Sequence, residues 1–427
     1  MKPLQRISAV ILVLVAIAGC TDRTTERITY EANVPIYMSF SEFRSSFKVS
    51  DAKEISQLGK IYFKDGYLFV NERGEGIHVI DNSDPANPHI IAFYEIMGNV
   101  DMAIRGNILF ADSYIDLLAI DISDVLNPVE VGRLENVFPE IAPVGDEWYP
   151  YAMVDRSKGV IVGWEVKTIT EEVDGSGYGG WLYRGNLELI AFDGAVGTNG
   201  TWSGGAGVAG SMARFMLNEQ YLYAIAIPTR LKTVDVSSST QMVVVDSVEV
   251  SRTMETLFRL EDKLFIGTTT GMLIFDLSNP LSPQQISSYD HITACDPIVV
   301  DGQYAYVTLR TGTVCAGGDN LLEVIDISSI ENPYLVKSYP MFNPHGLGVD
   351  GNLLFICDGA AGLKVYDKAD PMAIIANQIA HFPDFDTFDI IPFNGVLMLV
   401  GQGGIYQYDY SDPENLVQIS YIPIIQK

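Results

Sequence analysis

The sequence predicts an all-β protein, a β-propeller of eight four-stranded blades, with seven blades as the alternative. Three observations predict it. The first is a recurring strand ending of the form apolar-x-apolar-Asp. It reads HVID at Asp81, LAID at Asp121, LIAFD at Asp193, KTVD at Asp235, LIFD at Asp276, EVID at Asp326, KVYD at Asp367 and YQYD at Asp409. Most steps are 40 to 42 residues, with longer ones after Asp121 and Asp276, and a period in this range marks a propeller or solenoid. The second is the hairpin chemistry between apolar runs: Arg105-Gly106-Asn107, Asp301-Gly302-Gln303 and Asp350-Gly351-Asn352 are tight-turn signals that demand antiparallel pairing. The third is composition. With 22 Tyr, 19 Phe, 38 Gly and 20 Pro, the chain suits many short strands joined by tight turns, and no 3.6-residue period argues for helical repeats.

Within each copy the elements follow one order. An apolar first strand meets a hairpin turn, and a second strand follows, such as ILFAD, AYVTL or LLFIC. A Gly-rich loop leads to the third strand, which ends in the recurring Asp. A Ser-x-Pro type turn and a fourth strand complete the unit. The Asp stands before Ser, Asn or Gly, where its carboxylate can accept backbone N–H groups and fix the turn, so its expected role is structural. Pro85, Pro128, Pro280, Pro333, Pro371 and Pro413 stop the ladder where the chain reverses.

The N-terminus carries an export signal over residues 1–19. Lys2 and Arg6 precede an apolar run that is too short to span a bilayer. Ile17-Ala18-Gly19-Cys20 resembles the bacterial lipobox, which makes Cys20 the expected lipidation site. Residues 20–35, rich in Thr and charge, are expected to form a lipidated tether. Residues 36–58 are expected to pack on the ring as an N-terminal extension, and residues 59–427 to form the propeller. The lipid is then the membrane attachment, and the address is the cell envelope, on the outer membrane.

The repeat strands LLAIDIS, LLEVIDIS and MLIFDLS resemble the LVIVD-repeat family over residues 59–423, more loosely in the third copy. The segments GNVDMAIRGNILFADSYIDLLAIDIS and CDPIVVDGQYAYVTLRTGTVC look like lipoprotein members from Bacteroidetes-type bacteria. The resemblance implies a β-propeller in a surface or periplasmic setting. It supplies no catalytic residues.

Candidate chemistry is sparse. There is no GxSxG, HExxH or EF-hand loop, and His78, His89, His291, His345 and His381 lack metal-ligand spacing. A GxGxxG at Gly175, Gly177 and Gly180 has no strand-turn-helix around it and reads as a loop. Cys295 and Cys315 flank one hairpin on one face of the sixth copy and are the expected disulfide, since an exported protein sits in an oxidising compartment. Asp101, Asp112, Asp296, His345, Asp358 and Asp389 occupy equivalent places at strand ends, so a closed ring brings them to one face, the candidate ligand site. Ca²⁺ is the cation that oxygen ligands of this kind would prefer. The net charge of −27 argues against nucleic acid. A non-enzymatic envelope propeller that binds a protein or glycan is the first reading. A propeller hydrolase or lyase acting on extracellular glycans or lactones, and a purely structural envelope component, are its rivals.

Overall fold

The computed structural model describes residues 25–139, 141–174, 188–190, 208–209, 213–291, 297–310, 319–383 and 385–425. Among them, seven four-stranded antiparallel blades run in sequence order, at residues 58–95, 102–134, 215–249, 254–290, 298–340, 347–382 and 387–423. Each blade is a simple meander, first strand to fourth. The first strands of consecutive blades lie against one another, so they converge on the ring axis and the fourth strands form the rim.

Burial explains the apolar patterning. The second and third strands are sandwiched between neighbouring blades and are buried almost throughout, as in Ile108–Ser113 and Gly271–Asp276. A sheet covered on both faces reads as a continuous apolar run. The fourth strands sit at the rim and are mostly exposed or half-buried, and Val243–Glu249 alternates between the two. The core is therefore distributed over the blade junctions. Phe69 and Leu109 belong to one such cluster, Tyr223 and Ile266 to another, and Ile61, Ile80, Met398 and Ile405 to the cluster that joins blade 7 to blade 1. That last junction closes the ring without exchanging a strand. Asn82 and Gln407 exchange side-chain amide hydrogen bonds across it at 2.9 and 2.6 Å, and the Ile425 N–H donates to the Ile55 carbonyl at 2.8 Å.

The recurring Asp ends the third strand of every blade. In each, a side-chain oxygen accepts the N–H of the residue two positions on: Ser83, Ser123, Ser237, Ser278, Ser328, Ala369 and Ser411. These bonds, with the Ser hydroxyls, hold most of the carboxyls below the usual carboxylate range. In blades 1, 4 and 7 the third strand begins with a glycine, where the chain passes so close to the fourth strand that a side chain would not fit. A Cβ on Gly76 would lie 1.9 Å from the Tyr94 carbonyl oxygen, and one on Gly404 2.1 Å from that of Ile422.

The count matches the seven-blade alternative and not the expected eight: among the described residues the third copy, which lies between blades 2 and 3, forms no blade. Glu188–Ile190, the strand leading toward Asp193, pairs in parallel with Ile141–Pro143, outside every blade. Asp193 and the Gly175-Gly177-Gly180 motif lie outside the described residues. Further on, Val208–Ala209 pairs antiparallel with Phe63 and Tyr62 on the edge of the innermost strand of blade 1, so these two residues lie on its axial side.

The N-terminal segment also differs from its expected boundaries. Thr25–Met38 is a strand that pairs along its whole length with Val160–Asp174, so most of the expected tether is a hydrogen-bonded ribbon. At its ring end, Ser39 and Glu42 form a reciprocal cap for the helix Phe40–Arg44, whose Phe43 is fully buried beside blade 2. Lys48–Ser50 then pairs with the rim strand of blade 1. Cys20 lies outside the described residues.

Candidate functional site

The first strands start, and the second strands end, on one face of the ring. Asp112 ends the second strand of blade 2. Its Oδ1 accepts the N–H groups of Val100 and Asp101 at 2.8 and 2.9 Å and the Asn99 amide at 2.9 Å. Asp358 follows the second strand of blade 6. It accepts the N–H groups of Phe342 and Asn343 at 3.0 and 2.8 Å and pairs with Lys364. Both carboxylates therefore hold the loop that feeds the first strand of their own blade. Glu72 does the same in blade 1, accepting the N–H groups of Ser56 and Gln57 at 3.0 and 2.9 Å, with His78 Nε2 2.9 Å away. Sequence reasoning missed Glu72, although LFVNE aligns with ILFAD and LLFICD.

Asp101 joins three blades. Its Oδ2 pairs with Lys60 Nζ of blade 1 at 2.5 Å and accepts the N–H groups of Arg214 and Phe215, where blade 3 begins. Burial opposes both charges around it. Burial pushes the Asp112 carboxyl up to about 6 against its N–H donors, and it lowers the Lys60 ammonium against the pull of Asp101. The cavity between Asp101, Asp112, Phe138 and Arg214 is about 10 Å³, room for one water at most.

His345 and Asp389 belong to other networks. The His345 ring stacks edge-on against Phe388, and its Nε2 lies 3.2 Å from the Asn343 amide nitrogen. Burial, with the Arg310 charge, lowers its pKa to about 3, so it is neutral. Asp389 is fully buried in blade 7 and accepts the Ile390 N–H at 2.6 Å. Thus five of the six expected ligand residues lie on the expected face but do not form one site. Asp101 and Asp112 share one network, His345 and Asp358 flank Asn343, and Asp389 stands in the next blade. The sixth, Asp296, lies outside the described residues, as do Cys295 and Cys315. Among the described residues no group of three or more His, Cys, Asp or Glu is arranged to hold a metal ion, so the expected Ca²⁺ cluster is not assembled there.

Two open grooves stand out among the described residues. One, of about 390 Å³, lies between blades 7 and 1 on the same face as these carboxylates. Leu58, Phe388, Val400 and Ile424 give it an apolar lining, and Ser56, Gln57, Arg73 and Gln402 supply polar groups. The other, of about 600 Å³, lies between blades 1 and 2 on the hairpin face, among Lys64, Asp65, Asn107, Asp124 and their neighbours. The first has the composition of a recognition cleft, an apolar floor with a few polar groups.

The described residues define a seven-bladed β-propeller with a two-stranded N-terminal ribbon. A model of the LVIVD repeat matches residues 59–95, 99–136, 261–291 and 293–340, so blades 1, 2, 4 and 5 carry LVIVD repeats. No curated protein matches the sequence. Among solved structures, the computationally designed Ika8 protein is 9% identical, with a TM-score of 0.51 over 88% of this chain and 91% of its own. The β-propeller domain of Cps50 (Swd1) from Myceliophteria thermophila is 10% identical, covering 83% of this chain and 96% of its own at a TM-score of 0.47. BamB from Moraxella catarrhalis is 7% identical, covering 88% and 95% at 0.46. The likeness to Ika8 speaks for the fold alone.

Proposed function

We propose that this chain is a non-enzymatic cell-envelope propeller, held to the membrane by a lipid on Cys20, that binds a protein or glycan partner in the groove between blades 7 and 1. The observation that carries the binding role is the contrast within one face. The carboxylates that acid–base chemistry would use are engaged in holding loops and blades. The neighbouring groove offers an apolar floor and an Arg-bearing rim. This favours recognition over hydrolysis or elimination of glycans or lactones, which needs a paired acid and base. The lipobox at Cys20 and the envelope address that follows from it rest on the sequence.

Two measurements test the two halves separately. In detergent phase partition, the wild type should enter the detergent phase and Cys20→Ala the aqueous phase. A variant that stays with detergent overturns the anchor. For the groove, anilinonaphthalene sulfonate, an apolar body with one anionic group, should bind the folded protein. Gln402→Trp, which fills the groove from its exposed rim, and Arg73→Glu, which reverses its cation, should each weaken binding at least several-fold. Unchanged binding in both variants overturns the groove as the site.

A further inference from the structure

Among the described residues, the ribbon Thr25–Met38 with Val160–Asp174 is rooted in the ring at its Met38–Val160 end. At the root, Asn33 exchanges backbone hydrogen bonds with Pro150 and Ala152, the Trp164 indole donates to the Pro143 carbonyl at 2.7 Å, and Val160 is buried in the core beside Phe43. Away from the root, no residue of 27–31 or 165–172 is buried. There the two strands hold each other. Arg27 pairs with Glu172 at 2.7 Å, the Thr29 and Thr170 hydroxyls meet at 2.8 Å, and the Tyr30 hydroxyl donates to Glu171 at 2.8 Å. Arg27 and Glu172 stay 76% and 56% exposed, so one face of the ribbon meets water, while Ile28, Tyr30 and Ile169 on the other are half-buried. Cross-strand pairs of this kind stabilise such a ribbon by roughly 0.2–1 kcal/mol each.

The direction of the first strand gives the ribbon its meaning. It begins at Thr25, paired with Asp174 at the outer end, and runs toward the ring, ending at Met38 beside the root. The chain N-terminal to it therefore joins the ribbon at the end farthest from the propeller, and Cys20 is five residues before Thr25. We propose that this ribbon is a stalk that holds the propeller off the lipid surface in which Cys20 is anchored. This rests on the lipid-anchor reading above. At about 3.3 Å per residue the outer half, residues 25–31 against 168–174, adds roughly 23 Å of stand-off. A disordered tether of the same length would add far less on average and would set no minimum distance. The stalk thus places the ring and its groove clear of the headgroups, within reach of a partner larger than a lipid.

The test uses the full lipidated protein on a supported bilayer, with neutron reflectometry reading the height of protein density above the headgroups. The wild type should show a layer of low protein density, on the order of 20 Å thick, between bilayer and ring. Removing residues 25–31 and 168–174 together keeps the Ala32–Lys167 register and should lower the ring by roughly 23 Å. A ring already in contact with the headgroups in the wild type overturns the stalk, whether or not the shortened variant folds. So does an unchanged height in a shortened variant whose circular dichroism and melting match the wild type. Failure of the wild type to stay on the bilayer after a high-salt wash refutes the anchor instead, which separates the two readings.

Discussion

Replacing Asp101 with Asn isolates the junction of blades 1, 2 and 3. The Asp101 carboxylate faces the Lys60 ammonium at 2.5 Å, and the two side chains are only 4% and 11% exposed. It also accepts the Met102 N–H at 2.7 Å and two N–H groups from blade 3. Asn keeps the shape and one acceptor but leaves the buried ammonium without its contacting carboxylate, with the weaker pull of Asp112 remaining. Breaking a buried pair from one side costs roughly 3–5 kcal/mol. Burial already lowers the Lys60 pKa, so in the variant Lys60 sheds its proton more readily. An ammonium with a depressed folded pKa costs stability below that pKa and regains it as pH rises toward the unfolded value. The defect of Asp101→Asn should therefore be largest near neutral pH and ease in alkaline solution. Adding Lys60→Met removes the orphaned charge and should recover most of the loss. The assay is urea unfolding of the four species of this cycle, read by midpoint, at pH 7 and pH 9.5. A single variant within about 0.5 kcal/mol of wild type, the range of an ordinary surface change, refutes the reasoning. So does a double variant no better than Asp101→Asn.

Two further outcomes follow from the same chemistry. The Asp112 carboxyl titrates near pH 6 in the fold and at the ordinary 3.8 when unfolded, so the folded state binds the extra proton between these values. Its contribution is present below pH 3.8 and lost as pH rises through 6, on the order of 3 kcal/mol, and Asp112→Asn should remove that slope. His345, neutral in the fold, slopes the opposite way from pH 6.5 down to about 3, so the difference between wild type and variant is the quantity to read, and equal slopes would sink the claim. Iodoacetamide labelling of the folded, unreduced protein should leave Cys357 unmodified, because burial raises its thiol well above the ordinary value. The same peptide map should show the proposed Cys295–Cys315 link; alkylated thiols at both positions would exclude it.

The repeat was legible because its signals are local. A Ser or small residue two places after each recurring Asp gives the turn, and near-continuous apolar second and third strands give a sheet covered on both faces. The blade count was less legible. LELIAFD has the same local pattern as a third strand, yet Glu188–Ile190 pairs with Ile141–Pro143. Pattern specifies that a strand forms; which strand it joins depends on what the tertiary fold brings alongside. The ribbon was missed although its period-two signal is present. Ile28, Tyr30, Ala32, Val34 and Ile36 do alternate with Thr29, Glu31, Asn33 and Pro35, and exposure alternates with them over residues 27–31, but the polar half of this short stretch, rich in Thr and charge, masked the period.

The candidate site was legible in position and not in role. Strand order alone places Asp112 and Asp358 at the ends of second strands and Asp101 at the start of a first strand, hence on one face. What the pattern does not contain is the demand that awaits them there. The chain returns from the rim to the axis between blades and arrives with backbone N–H groups turned toward the interior, where each needs an acceptor. A carboxylate at the end of the adjacent second strand meets that need at once, as Glu72, Asp112 and Asp358 do for residues 56–57, 100–101 and 342–343. Acidic residues at equivalent repeat positions are therefore the expected product of building a ring from meanders. They become evidence for a ligand only where the loop beneath them leaves an oxygen unclaimed. In this ring the recognition surface is better sought at the blade 7–blade 1 junction, where Phe388, Val400 and Ile424 line a groove and Arg73 and Gln402 stand at its edge.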